Sequence, residues 1–237
     1  MTSIVSGHIN LGAGDVSITS GDLTLGSPPP PPSRRLIVGF HSLSNSWSAL
    51  DLPTSFPGAY SFLAPNYDNA VNMGSDAQLA GIKSDIDAKV LADGITEIWA
   101  GGISGGTYTA LMFAAKYPGF IKRFSLHAVL YDLPAWSNEA NSGDWGQVVS
   151  GVGGGQSISA NPRPYFEKSP RWTLDQIGEA AMTFYLNHGT ADTVIPIHHA
   201  RECYRRLKGL PNVTAFLNEV AGGGHTPDAG LMVTQLS

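Results

Sequence analysis

Charge is scarce in this chain. Lys, Arg, Asp and Glu make up 14% of its 237 residues, against roughly a quarter in an average soluble domain, so Gly, Ser, Thr and Asn must supply much of the polar surface. The net charge is −5 and there is no basic run; Arg201, Arg205, Arg206 and Lys208 form the densest group, at the spacing of a solvated helix face. That pattern excludes a nucleic-acid partner, which needs a positive footprint. A single cysteine, Cys203, excludes an internal disulfide and any multi-cysteine metal centre. No apolar stretch is continuous enough to cross a membrane, and the segment before Arg34 holds neither Lys nor Arg, so neither a membrane span nor a signal peptide is expected.

What is abundant is glycine, 28 residues of it, and proline, 16. Five consecutive prolines, Pro28 to Pro32, favour a stiff extended rod and mark a boundary. Residues 1–33 thus form an arm, and residues 34–237 a single domain of ordinary size. Within the arm, Gly14 to Thr19 is echoed by Gly21 to Gly26 across a Ser-Gly-Asp turn, which predicts a β-hairpin. The arm reads either as a flexible or edge-docked segment or as an attachment that tethers the domain to a larger assembly.

From Arg34 onward, strand-like and helix-like segments alternate. Leu36 to Phe40 and Tyr60 to Ala64 read as strands, and Leu79, Ile82, Ile86 and Val90 give a helix one apolar face. A strand over 95–100, a helix from Gly105 to Tyr117 stopped by Pro118-Gly119, and a strand over Phe124 to Leu130 follow. Residues 131–170 break the rhythm with a loop-rich insertion of Gly, Ser, Asn and Pro. The alternation resumes with a strand over Met182 to Leu186, a helix from His198 to Lys208, a strand over Val213 to Leu217 and a short final helix. This order predicts an α/β fold, a mainly parallel sheet with helices on both faces.

The stretch Gly101-Gly102-Ile103-Ser104-Gly105-Gly106 opens the helix after the 95–100 strand. A phosphate loop of the Walker kind would need lysine where Thr107 stands, and a dinucleotide loop would need glycine where Ser104 stands. The pattern Gly-x-Ser-x-Gly does fit, from Gly102 to Gly106. Between a strand and a helix it makes a sharp elbow whose small neighbours let a serine hydroxyl stand above the sheet. Such a hydroxyl needs a base and an orienting acid, and elbow enzymes carry them in the order Ser, Asp or Glu, His on loops after later strands. Asp192 follows the 182–186 strand and His225 follows the 213–217 strand.

With "GGISGG", "YFEKSPRW", "HGTADTVIP" and "GGGH" in that order, residues 34–237 resemble the α/β-hydrolase superfamily, and most closely its dienelactone-hydrolase, polyester-depolymerase and prolyl-oligopeptidase-like esterase branches. The resemblance implies an α/β-hydrolase fold with Ser104 as nucleophile, Asp192 as acid and His225 as base. It also implies an oxyanion hole from the Gly105 N–H and a donor in "FHSLSNSW", which is similar to the family's His-Gly-x loop. Ser42 departs from that glycine, so the second donor is either the Leu43 N–H or a group of Ser42. Asp132 and Asp228 are rival acids. Among the other histidines, His188 is expected to support the acid loop, His41 to shape the oxyanion loop, His127 to be a core residue, and His198 and His199 to open a helix.

Trp136 and Trp145 either form a miniature core in the insertion or, with Trp47, line the substrate pocket. The function expected is hydrolysis of carboxylic esters, small or polymeric, through an acyl-enzyme, a reaction that needs no cofactor and no metal. A prolyl-oligopeptidase-like serine peptidase is the rival, disfavoured because only 33 residues precede the catalytic region. A non-catalytic binding module is a third reading, disfavoured because all three triad residue types are present.

Overall fold

The computed structural model describes residues 17–19, 22–24, 34–43, 56, 60–140 and 142–237. Trp47 lies outside them, as does the polyproline run. The chain divides into two units, Met1–Pro32 and Ser33–Ser237. In the first, β1 (Ser17–Thr19) and β2 (Asp22–Thr24) pair antiparallel, Ile18 opposite Leu23.

The second unit is built on six strands. They are β3 (Arg35–Phe40), β4 (Tyr60–Leu63), β5 (Glu97–Ile103), β6 (Arg123–His127), β7 (Met182–Gly189) and β8 (Val213–Val220). Their order is β4-β3-β5-β6-β7-β8, and every pairing is parallel. From β3 the chain goes first to β4 on one side and then to β5 on the other. This reversal opens a crevice at the carboxyl ends of β3 and β5, where α/β sheets receive ligands. Phe40 sits opposite Gly102 there, one step from the glycine-rich elbow.

Strand alternation divides the core. Leu36, Val38, Phe40, Ala100, Phe124 and Phe184 belong to the larger cluster, with Tyr108, Leu111 and Phe113 of helix α3 (Gly105–Lys116). Every residue of α3 from Gly105 to Ala115 is buried, which explains why it is apolar all round. Ile37 and Trp99 face the other way and meet Met232 and Leu236, near the final helix (Ala229–Gln235). Helices therefore cover both faces.

Two helices precede β5: the single-turn α1 (Asn69–Asn72) and the 18-residue α2 (Asp76–Asp93), which runs from a Ser75 N-cap to Gly94 at φ 62°. Leu79, Ile82 and Ile86 are buried on α2. The capping hydroxyl and the left-handed glycine satisfy helix-end groups, which fixes where α2 starts and stops.

Two expectations need correction. The 124–130 strand ends at His127, because Ala128 turns to φ 53° and the next amides leave the ladder for side chains. The N–H of Val129 donates to His188 Nδ1, that of Leu130 to Thr107 Oγ1, and those of Tyr131 and Asp132 to His199 Nδ1.

Half of the 131–170 insertion is helix, more than a loop-rich composition predicts. It contains α4 (Leu133–Trp136), α5 (Ser142–Gly151) and α6 (Arg163–Glu167), and α7 (Pro170–Thr173) follows at once. Its composition disfavours helix locally, but burial of Trp136, Val148, Val152 and Tyr165 overrides that preference. Proline in the first turn of α4, α6 and α7 costs no internal hydrogen bond.

Candidate active site

Ser104 joins β5 to α3 at φ 53° and ψ −126°, a conformation that non-glycine residues rarely adopt. The surroundings hold it there. Its N–H donates to His127 O, and its carbonyl accepts from the N–H and the hydroxyl of Thr107. Thr107, the residue that removed the phosphate-loop reading, thus braces the turn.

The two glycines after the serine have a packing reason. A Cβ on Gly106 would lie 2.0 Å from Phe40 O and 2.6 Å from His41 O, and one on Gly105 would lie 2.9 Å from Leu43 N. Only glycine lets the loop after β3 press against the start of α3. The backbone N of Leu43 thereby comes close to Gly105, the residue after Ser104.

His225, on the loop after β8, spans the gap between the other two groups. Its Nε2 is 3.0 Å from Ser104 Oγ and its Nδ1 is 2.8 Å from Asp192 Oδ2. Asp192 lies three residues past β7, and its Oδ1 accepts from the N–H groups of Val194 and Ile195, each at 2.9 Å. Burial pushes its carboxyl upward and is the largest single influence. Hydrogen bonds from His188, His225 and Ile195, with the charge of His225, together outweigh it and hold the group well below the usual carboxylate range. Asp192 is therefore an anion beside the imidazole.

The structure brings Ser104, Asp192 and His225 together and engages the rivals elsewhere. Asp132 caps α4 through Ala135 N–H and pairs with Arg171 at 2.7 Å, while Asp228 caps the last helix, α9 (Ala229–Gln235), through Leu231 N–H. His188 accepts from Val129 N–H at Nδ1, so its proton sits on Nε2, which donates to Ile195 O at 2.8 Å. His127 is buried and accepts the Asp228 N–H at Nδ1.

Of the two readings of Trp136, its burial fits the insertion core. It is 1% exposed and its indole N–H donates to Val194 O, leaving no face for a substrate. Trp145 meets Trp136 edge-on at 6.2 Å and stacks on Tyr165 at 5.5 Å. These rings form the insertion's own core.

Two residues outside any motif support the β3 loop. Tyr67 stacks on His41 at 3.8 Å and donates its O–H to His41 O, and Asn69 Nδ2 donates to Ser42 O at 3.0 Å. No short motif marks them, because their partners lie about 26 residues away.

Among the described residues, one other cluster could gather ligand atoms. Glu139, His198 and His199 bring a carboxylate and two imidazoles within 4.8 Å of one another. The Nδ1 of His199 already accepts from two backbone N–H groups, so its proton sits on Nε2, aimed at Glu139 Oε2 at 3.0 Å. As arranged, the cluster is a strut between the insertion and helix α8 (His198–Lys208), not a set of lone pairs awaiting a cation.

No family model matches the chain, and no curated protein sequence matches it. Solved structures do: the chain has the α/β-hydrolase fold. A puromycin hydrolase, crystallised as a mutant with PGG, superposes with a TM-score of 0.64 at 14% identity over 88% of this chain and 33% of that one. An acylaminoacyl peptidase gives 0.63 at 15%, over 84% and 34%. A truncated carbohydrate esterase from gut microbiota gives 0.60 at 15%, over 81% and 78%. The chain spans about a third of the length of the puromycin hydrolase and of the acylaminoacyl peptidase. Among the described residues, no helix is long and apolar enough to cross a membrane.

Proposed function

We propose that the protein is a serine hydrolase that cleaves carboxylic esters through an acyl-enzyme. The observation that carries this reading is the relay Asp192–His225–Ser104, with contacts of 2.8 and 3.0 Å and its serine on a left-handed elbow. In the proposed reaction, His225 Nε2 takes the Ser104 proton as Oγ attacks the ester carbonyl. Asp192 stabilises the imidazolium, and the N–H groups of Gly105 and Leu43 bind the oxyanion. His225 returns the proton to the departing alcohol. Water, activated by the same imidazole, then releases the acid and restores the serine.

A peptidase is the second reading, favoured by the resemblance to a puromycin hydrolase and an acylaminoacyl peptidase. The chemistry is shared, and the leaving group differs. The test is turnover of a chain-length series of p-nitrophenyl esters beside aminoacyl and proline-type p-nitroanilides, with a fluorophosphonate probe to titrate the nucleophile. Ester turnover and labelling that vanish in Ser104→Ala, with the kcat of any residual activity down by about 10⁴ to 10⁶, support the reading. Undiminished hydrolysis by Ser104→Ala defeats it, and preferential cleavage of the anilides moves the protein to the peptidases.

A further inference from the structure

We propose that Asn69 and Tyr67 are positioning residues for this reaction, fixing the Ser42–Leu43 peptide so that the Leu43 N–H is aimed at the oxyanion. The inference rests on the hydrolase reading above and concerns how its second backbone donor is held.

A trans peptide is planar, and its C=O and N–H point in opposite directions. Whatever grips the carbonyl of Ser42 therefore sets the direction of the Leu43 N–H. Two donors grip it: Asn69 Nδ2 at 3.0 Å and His41 Nδ1 at 2.9 Å. The peptide's nitrogen lies against the residue that follows the serine, since Leu43 N is 2.9 Å from where a Gly105 Cβ would stand. The preceding carbonyl, of His41, accepts the Tyr67 O–H at 3.1 Å, and the His41 ring is clamped by its stack on Tyr67. Two successive peptides are thus fixed from below.

The grip is itself fixed. Asn69 is fully buried, and its Oδ1 accepts from Gln78 Nε2 at 3.2 Å. The Oε1 of Gln78 in turn accepts the Gly74 N–H at 2.7 Å, and the Gln78 N–H donates to the Ser75 hydroxyl. This chain dictates which end of each amide is donor and which is acceptor, and it leaves Asn69 presenting N–H to Ser42. From the insertion, α5 presses on the same residue: a Cβ on Gly151 would lie 1.9 Å from Asn69 O. Buried amides are costly where apolar packing would serve. Here they keep an oxyanion donor oriented before substrate arrives, when reorientation would otherwise slow the chemical step.

The test uses the full chain, with p-nitrophenyl ester turnover and the affinity of an aryl trifluoromethyl ketone, whose adduct with Ser104 Oγ places an oxyanion in the same hole. Asn69→Asp keeps the size and the acceptor for Gln78 but turns an acceptor toward Ser42 O. Its kcat is expected to fall about 10- to 100-fold at nearly unchanged KM, a share of what losing an oxyanion donor costs, and ketone affinity to fall by a similar factor. Tyr67→Phe keeps the stack, removes one hydrogen bond and is expected to lose about 3- to 10-fold in both. If Asn69→Asp does not fold, Tyr67→Phe decides. Variants within twofold of wild type, or a kcat loss without a matching loss of ketone affinity, overturn the assignment while an active wild type leaves the hydrolase reading standing. A wild type that neither turns over esters nor labels with fluorophosphonate overturns both.

Discussion

His188 and Asp192 stand at the same end of β7, and the imidazole Nε2 of His188 lies 3.4 Å from the Asp192 oxygen that also faces His225. One carboxylate oxygen thus meets two imidazoles, while the other is saturated by two backbone N–H groups. Asp192→Asn preserves this shape and removes the charge. Its amide also favours the wrong tautomer of His225, so kcat should fall by about 10⁴ with little change in melting temperature. His188→Ala should lower kcat by only about tenfold, since His225 keeps its partner, but it strands the Val129 N–H and should lower the melting temperature. Steady-state kinetics beside thermal unfolding separate the two patterns.

Gly105 and Gly106 should fail in different ways. A methyl group at Gly105 would meet Leu43, with its side chain at 2.6 Å and its backbone N at 2.9 Å, and the loop can shift to relieve part of that overlap. Gly105→Ala is expected to fold and to lose about 10²-fold in kcat by displacing the proposed oxyanion donor. A methyl group at Gly106 would strike two backbone carbonyls, of Phe40 and His41, which cannot move without disturbing the end of the interior strand β3. Gly106→Ala is expected to lose about 3 kcal/mol or more, measured by chemical denaturation.

The buried imidazole of His127 makes stability depend on pH. Burial is the main influence and lowers it to about 4, against a smaller upward pull from Asp228. An unfolded histidine titrates near 6.5, so between about pH 6.5 and 4 the unfolded chain binds more protons and stability rises with pH. Stability is unaffected by this group above that window, and falls on acidification through it by on the order of 3 kcal/mol. His199, also lowered chiefly by burial, acts in the same direction. Denaturation curves at several pH values should show a smaller slope in His127→Gln than in wild type, and equal slopes would refute the assignment.

Trp136 anchors the insertion through its buried indole, its bond to Val194 O and its contact with Trp145. Trp136→Ala should cost about 3 to 5 kcal/mol. Val194 lies two residues after Asp192 and its N–H donates to that carboxylate, so the same change should loosen the Asp192 loop and reduce kcat more than KM. A variant with altered KM alone would return Trp136 to the substrate pocket.

Local pattern determined much of this protein. Alternation of strand-like and helix-like runs specified a parallel α/β sheet, because buried strands and one-sided helices carry different periodicities. The elbow glycines and the order Ser104, Asp192, His225 were readable because each lies in a loop directly after a strand. Tertiary structure decided the rest. Half of residues 131–170 became helical through contacts among rings such as Trp136, Trp145 and Tyr165, and the Phe124 strand stopped at His127 because side chains from other segments claimed the following amides. Asp192 prevailed over Asp132 and Asp228 as the partner of His225 because those two carboxylates cap helices. The hold of Asn69 and Tyr67 on the β3 loop has no sequence pattern, since hydrogen bonds across about 26 residues depend on where the chain returns in space.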